Sequence, residues 1–148
     1  MSVFLKLQED IKDAMKARDQ DKLLALRTLS SDIKKIAIDA GRREPSDEDV
    51  LAAVSRAIKQ REDSAEQFRN AGRLELADVE TAQVGWIKAY QPEQLSETEV
   101  RAIVSEVIAS LGATSKKEMG KVMGALMPRV KGKADGKLVQ SVVNALLP

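Results

Sequence analysis

The apolar residues of this chain recur three and four positions apart from one end to the other, and no stretch alternates with the period of two that a half-buried strand requires. That spacing demands helices packed on helices. Phe4, Leu7, Ile11, Ala14 and Met15 make one stripe, and Leu26, Leu29, Ile33, Ile36, Ala37 and Ala40 make a second, with a break near "RDQD". Gly41 stands where a C-cap is expected, and Ser46 with Asp49 three residues on signals the next start. A third helix carries Leu51, Val54, Ile58, Ala65 and Phe68 as far as Asn70-Ala71-Gly72. A fourth carries Leu76, Val79, Ala82, Trp86 and Tyr90, and Pro92 closes the first half of the chain. Further on, Ser96 with Glu99 and Ser115 with Glu118 repeat the start signal, and Gly112 supplies a stop. Asp135 can cap a last helix whose apolar side is Leu138, Val139, Val142, Val143, Leu146 and Leu147.

The expected fold is therefore all-α: a bundle of longer amphipathic helices over residues 1–94 and a small three-helix domain over residues 95–148. A chain of 148 residues can bury a core without staples, and with 3% aromatic residues and four prolines it suits neither a β-sandwich nor a disordered chain.

The chain has no cysteine and no histidine, which removes the thiolate nucleophile, the commonest general base and the commonest zinc and iron–sulfur ligands. Ser30 and Ser31 near Lys34 offer the residue types that serine/lysine amidohydrolases use, but no glycine-rich oxyanion loop flanks them, and a serine in mid-helix is ordinarily a packing or solvated residue. The carboxylates of "SDEDV" and "SETEV" could pair for acid/base work or hold magnesium; capping in the first helical turn explains them better. Trp86 and Tyr90, four apart, could stack bases, although aromatic residues on an apolar stripe ordinarily belong to the core. "RAIKQRED" reads as a solvated face. No catalytic residue, metal site or cofactor is expected. The opening "MSVFLKLQEDIKDAMK" lacks the apolar core of a secretory signal, and no apolar run approaches the ~20 residues that cross a bilayer. A cytoplasmic location away from membranes is the expectation.

Charge is distributed unevenly. From Lys116 onward seven basic residues (Lys116, Lys117, Lys121, Arg129, Lys131, Lys133, Lys137) face two acids (Glu118, Asp135), although the whole chain carries only +1. Four of the eight glycines lie in the same part, in "MGKVMGALMPRVKGKADGKLV", Met119 to Val139. On a helix that begins at Met119, the residues Val122, Met123, Leu126 and Val130 fall within about 60° of it, while Lys117, Lys121, Gly124 and Pro128 gather on the far side with Gly120 at the flank. Each interior glycine costs about 1 kcal/mol of helix propensity relative to alanine. Close approach of a second helix would offset that loss, and so would close approach of a ligand backbone with the lysines on its phosphates. The helix should end or kink near Pro128. A basic loop, "RVKGKADGK", then leads to the start of the last helix, where unpaired amides attract anions.

These residues also resemble a known family. "KVMGALMPRVKGKADGKLV", "YQPEQLSETEV", "IKQREDSAEQFRNAGR" and "LLALRTLSSDIK" closely resemble the GatB/YqeY-like family, freestanding relatives of the tail of the B subunit of the tRNA-dependent amidotransferase. The resemblance spans essentially the whole chain. It implies an all-α protein that engages tRNA, with an aminoacyl-tRNA synthetase or an amidotransferase subunit as a further partner. The positions matching the family's tail are Lys117, Gly120, Lys121, Gly124, Arg129, Lys131, Gly132, Lys133, Gly136 and Lys137. A carbon–nitrogen ligase activity with glutamine as amide donor is implied for the parent enzyme, whose catalytic portion and glutaminase subunit have no counterpart in this chain.

Overall fold

A computed structural model describes residues 2–148 and divides the chain into two compact units, Met1–Gln91 and Pro92–Pro148. Every regular element among the described residues is helical.

The first unit holds α1 (Val3–Lys16), α2 (Gln20–Asp39), α3 (Asp47–Asn70) and α4 (Leu74–Ile87), the last running into a 3₁₀ turn at Lys88–Tyr90. Its boundaries are chemical. Ser2 accepts from the Leu5 amide at 3.2 Å and Asp19 from the Lys22 amide at 3.3 Å. Ser46 and Asp49 close a reciprocal capping box, with the Ser46 amide 2.8 Å from Asp49 Oδ2. Gly41 and Gly72 end α2 and α3 with φ of +76° and +74°, a region that a side chain disfavours. Arg18 takes the same left-handed conformation between α1 and α2, at φ +57°.

The core of this unit joins Phe4, Leu7 and Ile11 of α1 to Leu26, Leu29 and Ile33 of α2, Val50, Val54 and Ile58 of α3, and Val84 and Ile87 of α4. The expected stripe of α4 needs correction. Leu76 and Val79 are 41% and 54% exposed, and Ala77, Val84 and Ile87 are buried instead. Apolar residues surround this helix on nearly all sides, so periodicity alone did not choose the buried face. Met15 and Ala40 also lie exposed, each at the last turn of its helix or just beyond it. Tyr90 is buried, as an aromatic residue on an apolar stripe should be, and Trp86 is half-buried.

The second unit is three helices around a core of its own. α5 (Glu97–Leu111) contributes Val100, Val104 and Val107, α6 (Met119–Val130) contributes Val122, Leu126 and Val130, and α7 (Gly136–Leu146) contributes Val139, Val142 and Val143. Ser96 and Glu99 box the start of α5, and Gly112 ends it at φ +64°. Ser115 and Glu118 form a third box, around a 3₁₀ turn at Lys116–Glu118 that leads into α6.

Candidate functional site

The cationic part of the sequence is built on α6 and the loop behind it. Glu118 Oε2 accepts from the amides of Thr114 at 2.6 Å and Ser115 at 3.3 Å, which fixes the approach to α6. Those two backbone donors, Thr114 first, hold its carboxyl below the usual carboxylate range, with a smaller contribution from the Lys121 ammonium. Val122, Leu126 and Val130 then seat α6 on the core, with Met119 and Met123 half-buried beside them. The opposite side, with Lys117, Gly120, Lys121, Gly124 and Pro128, is exposed.

That exposure removes one of the two reasons a glycine could be favoured here. A Cβ built on Gly120 or Gly124 meets no atom within 4 Å, so neither glycine admits a neighbouring helix. The bare face is open to solvent. The helix ends near Pro128 as expected, though not at it: α6 continues to Val130, and the Lys131 amide still closes on the Met127 carbonyl at 2.8 Å. Proline costs a helix one amide and a clash with the carbonyl four residues back. Here that carbonyl belongs to Gly124, on the unpacked side, where it is free to tilt outward.

After α6 the chain turns at Gly132, whose φ is +75°. The loop is fastened from the start of the unit: the Leu95 amide donates to the Lys133 carbonyl at 2.7 Å, and Gln94 Nε2 donates to the Gly132 carbonyl at 2.8 Å. Asp135 Oδ1 accepts from the Lys137 amide at 3.1 Å and starts α7. Lys131, Lys133, Gly136 and Lys137 are exposed and Gly132 is half-buried.

Arg129 stands apart from the other predicted positions. Its Nη2 reaches Glu106 Oε2 of α5 at 3.2 Å, which compensates its charge and turns it away from the Gly124 side of α6. By contrast, Lys116, Lys117, Lys121, Lys131, Lys133 and Lys137 form no ion pair among the described residues. Sequence reasoning missed Gln94, Leu95 and Glu106, whose roles come from residues 23 to 38 positions away and leave no local signal.

Of the two serines raised by the sequence, Ser31 is exposed and Ser30 is structural. Ser30 is 5% exposed and accepts a hydrogen bond from Gln8 Nε2 at 2.8 Å, between α1 and α2. Among the described residues no three His, Cys, Asp or Glu side chains gather as a metal set would, and no helix is long and apolar enough to cross a membrane.

These features define a class of all-helical protein with two compact units, the second presenting a cationic, glycine-bearing face. The chain belongs to the Yqey-like protein family, whose model matches residues 4–147. It is 30% identical over 150 residues to altered inheritance of mitochondria protein 41 of Pyrenophora tritici-repentis, covering 97% of this chain and 82% of that one. The protein of the same name from Lachancea thermotolerans is 35% identical over 107 residues, 71% of this chain and 57% of its own. An uncharacterized protein of Schizosaccharomyces pombe is 33% identical over 90 residues, 61% and 72% of the two chains. The Pyrenophora and Lachancea relatives are mitochondrial by name, and this overturns the cytoplasmic expectation. Composition and helical spacing do not distinguish cytosol from mitochondrion.

Proposed function

We propose that the chain binds tRNA on the cationic face of its second unit, alone or as an accessory to a tRNA-handling enzyme such as an aminoacyl-tRNA synthetase or an amidotransferase subunit. One observation carries this reading: the glycine face of α6 is unpacked and exposed, and exposed lysines border it on α6 and along the following loop. Glycines that admit no helix leave room for a ligand backbone, and ammonium groups beside them meet phosphates. The family resemblance supplies the RNA. Any part in glutamine-dependent amidation belongs to a catalytic partner: of the two serines near Lys34, Ser30 is buried and bonded to Gln8, and Ser31 has no glycine-rich oxyanion loop beside it.

The test is retention of total tRNA by the full-length protein across a salt series. The Lys121→Glu/Lys131→Glu variant should lose binding while its thermal melt is unchanged, because both side chains are exposed. The corresponding double alanine variant should lower the slope of log affinity against log salt by about two, roughly one per lysine removed. Undiminished binding by the charge-reversed protein would overturn the reading.

A further inference from the structure

The second unit has unusual limits on how it can read a nucleic acid. Residues 92–148 contain no phenylalanine, tyrosine, tryptophan or histidine, so no ring is available on which an unstacked base could rest. Their two arginines are both engaged: Arg101 Nε lies 3.5 Å from Glu97 Oε1, and Arg129 Nη2 lies 3.2 Å from Glu106 Oε2. A guanidinium fork is the other common means of stacking on a base or gripping its edge. On α6 and the loop behind it, what remains is a set of lysine point charges beside exposed helix backbone.

That backbone carries one unusual polar group. Pro128 has no N–H, so the carbonyl of Gly124 lacks the donor that an α-helix provides four residues on. Gly124 is exposed, and a Cβ added to it would meet nothing within 4 Å beyond its own helix. Its carbonyl is therefore an acceptor without its helical donor, about 4.5 Å along the axis from Lys121, with Lys131 and Lys133 beyond the other end of the helix. An acceptor between cations fits a hydroxyl donor between phosphates. In nucleic acid that donor is the ribose 2′-hydroxyl, which lines the wide, shallow minor groove of A-form RNA and is absent from DNA.

Resting on the tRNA reading above, we infer that this face recognises the sugar–phosphate backbone of double-helical RNA, and that the Gly124 carbonyl, left open by Pro128, accepts from a 2′-hydroxyl and selects RNA over DNA. The lysines supply affinity without choosing between the two polymers. Gly124 supplies the choice.

The experiment compares the full-length protein with Pro128→Ala, which restores the amide, closes the Gly124 carbonyl into the helix and leaves every charge in place. Ligands are an RNA duplex, a DNA duplex of the same sequence and length, and the single RNA strand. Wild type should prefer the RNA duplex to both, and Pro128→Ala should reduce the RNA-over-DNA ratio by about two- to tenfold, the span of one net hydrogen bond. Its salt slope should not change, and its melt should show it at least as stable, since the helix recovers a bond. Equal binding of RNA and DNA duplexes by wild type overturns the inference, leaving charge attraction alone. A preference for the single strand overturns it too, as does a Pro128→Ala protein that keeps the full RNA preference. Failure to retain any RNA, tRNA included, would instead overturn the underlying tRNA reading.

Discussion

The phenolic hydroxyl of Tyr90 donates to Asp10 Oδ2 at 2.6 Å, tying the end of the first unit to its first helix across 80 residues of sequence. Tyr90 is 5% exposed, and the Lys6 ammonium lies 5.9 Å from the centroid of its ring. Tyr90→Phe keeps the packing and removes only the hydroxyl. The bond lost is to a charged acceptor, so the substitution should lower stability by about 1.5–3 kcal/mol, measured by urea unfolding. A variant as stable as wild type would show that the contact contributes nothing.

The same pair makes a prediction at alkaline pH. Burial first, and then the Asp10 carboxylate, raise the pKa of Tyr90 above its ordinary value. The folded state thus holds this proton more tightly than the unfolded chain does. Its contribution to stability is complete below the unfolded value of about 10 and falls as pH rises beyond it. Tyr90 is the single tyrosine of the chain, so phenolate absorbance reports on it alone. That absorbance should appear together with loss of the helical signal. Ionisation near the ordinary value in a protein still fully helical would contradict the assignment.

At acid pH each unit has its own sensitive carboxylate. Asp49 accepts from the Ser46 amide at 2.8 Å and from Arg42 Nε at 3.2 Å, while Glu118 accepts from the amides of Thr114 and Ser115. Both groups are held below the usual carboxylate range, Asp49 chiefly by the Ser46 amide and then by Arg42. A lowered pKa means that the unfolded state binds the proton more tightly. The stabilisation is therefore present above the unfolded values of about 4 and is lost as pH falls through the lower folded values. Asp49→Asn and Glu118→Gln should each be less stable than wild type at neutral pH, and the difference should shrink in acid. A difference independent of pH would assign the effect to packing.

Gly124→Ala separates a packing glycine from an exposed one. A packing glycine would lose stability on gaining a methyl group. Here the added Cβ meets nothing within 4 Å, and alanine is the better helix former by about 1 kcal/mol, so the variant should be more stable by roughly that amount. Thermal and urea melts decide the sign. A destabilised variant would mean that the face is covered in the folded protein.

How much was legible in the sequence depended on how far each interaction reaches. The three serine–acid boxes at Ser46, Ser96 and Ser115 are contacts between near neighbours, and all three formed where they were expected. The apolar stripe of α6 was legible because lysine and glycine fill its other side, leaving one choice of buried face. α4 offered no such contrast, and its buried face shifted from Leu76 and Val79 to Ala77, Val84 and Ile87. An end or kink near Pro128 was legible, and α6 ends two residues on at Val130; that it passes through the proline first was not legible, because the open side at Gly124 reduces the penalty. On the cationic face the positions of the lysines could be read in advance. The grip of Gln94 and Leu95 on the loop could not, nor could the turn of Arg129 toward α5, because each depends on tertiary contacts.

The pair Arg129–Glu106 offers a test in which binding should improve. With side chains 43% and 66% exposed, this ion pair should contribute no more than about 1 kcal/mol to folding, so breaking it leaves the unit folded. Glu106→Gln removes the compensating carboxylate and leaves Arg129 as an additional cation on the same unit. On the tRNA reading, affinity should rise at low salt and the salt slope should steepen, by up to about one if the freed guanidinium finds a phosphate. Arg129→Ala in the otherwise natural chain should change the slope less than Lys121→Ala or Lys131→Ala, because its charge is already met by Glu106. If the Arg129 and Lys121 variants lose affinity equally, the ion pair gives way when RNA binds and Arg129 joins the contact surface. Unchanged binding by Glu106→Gln across the salt series would place this side of the unit outside the RNA footprint.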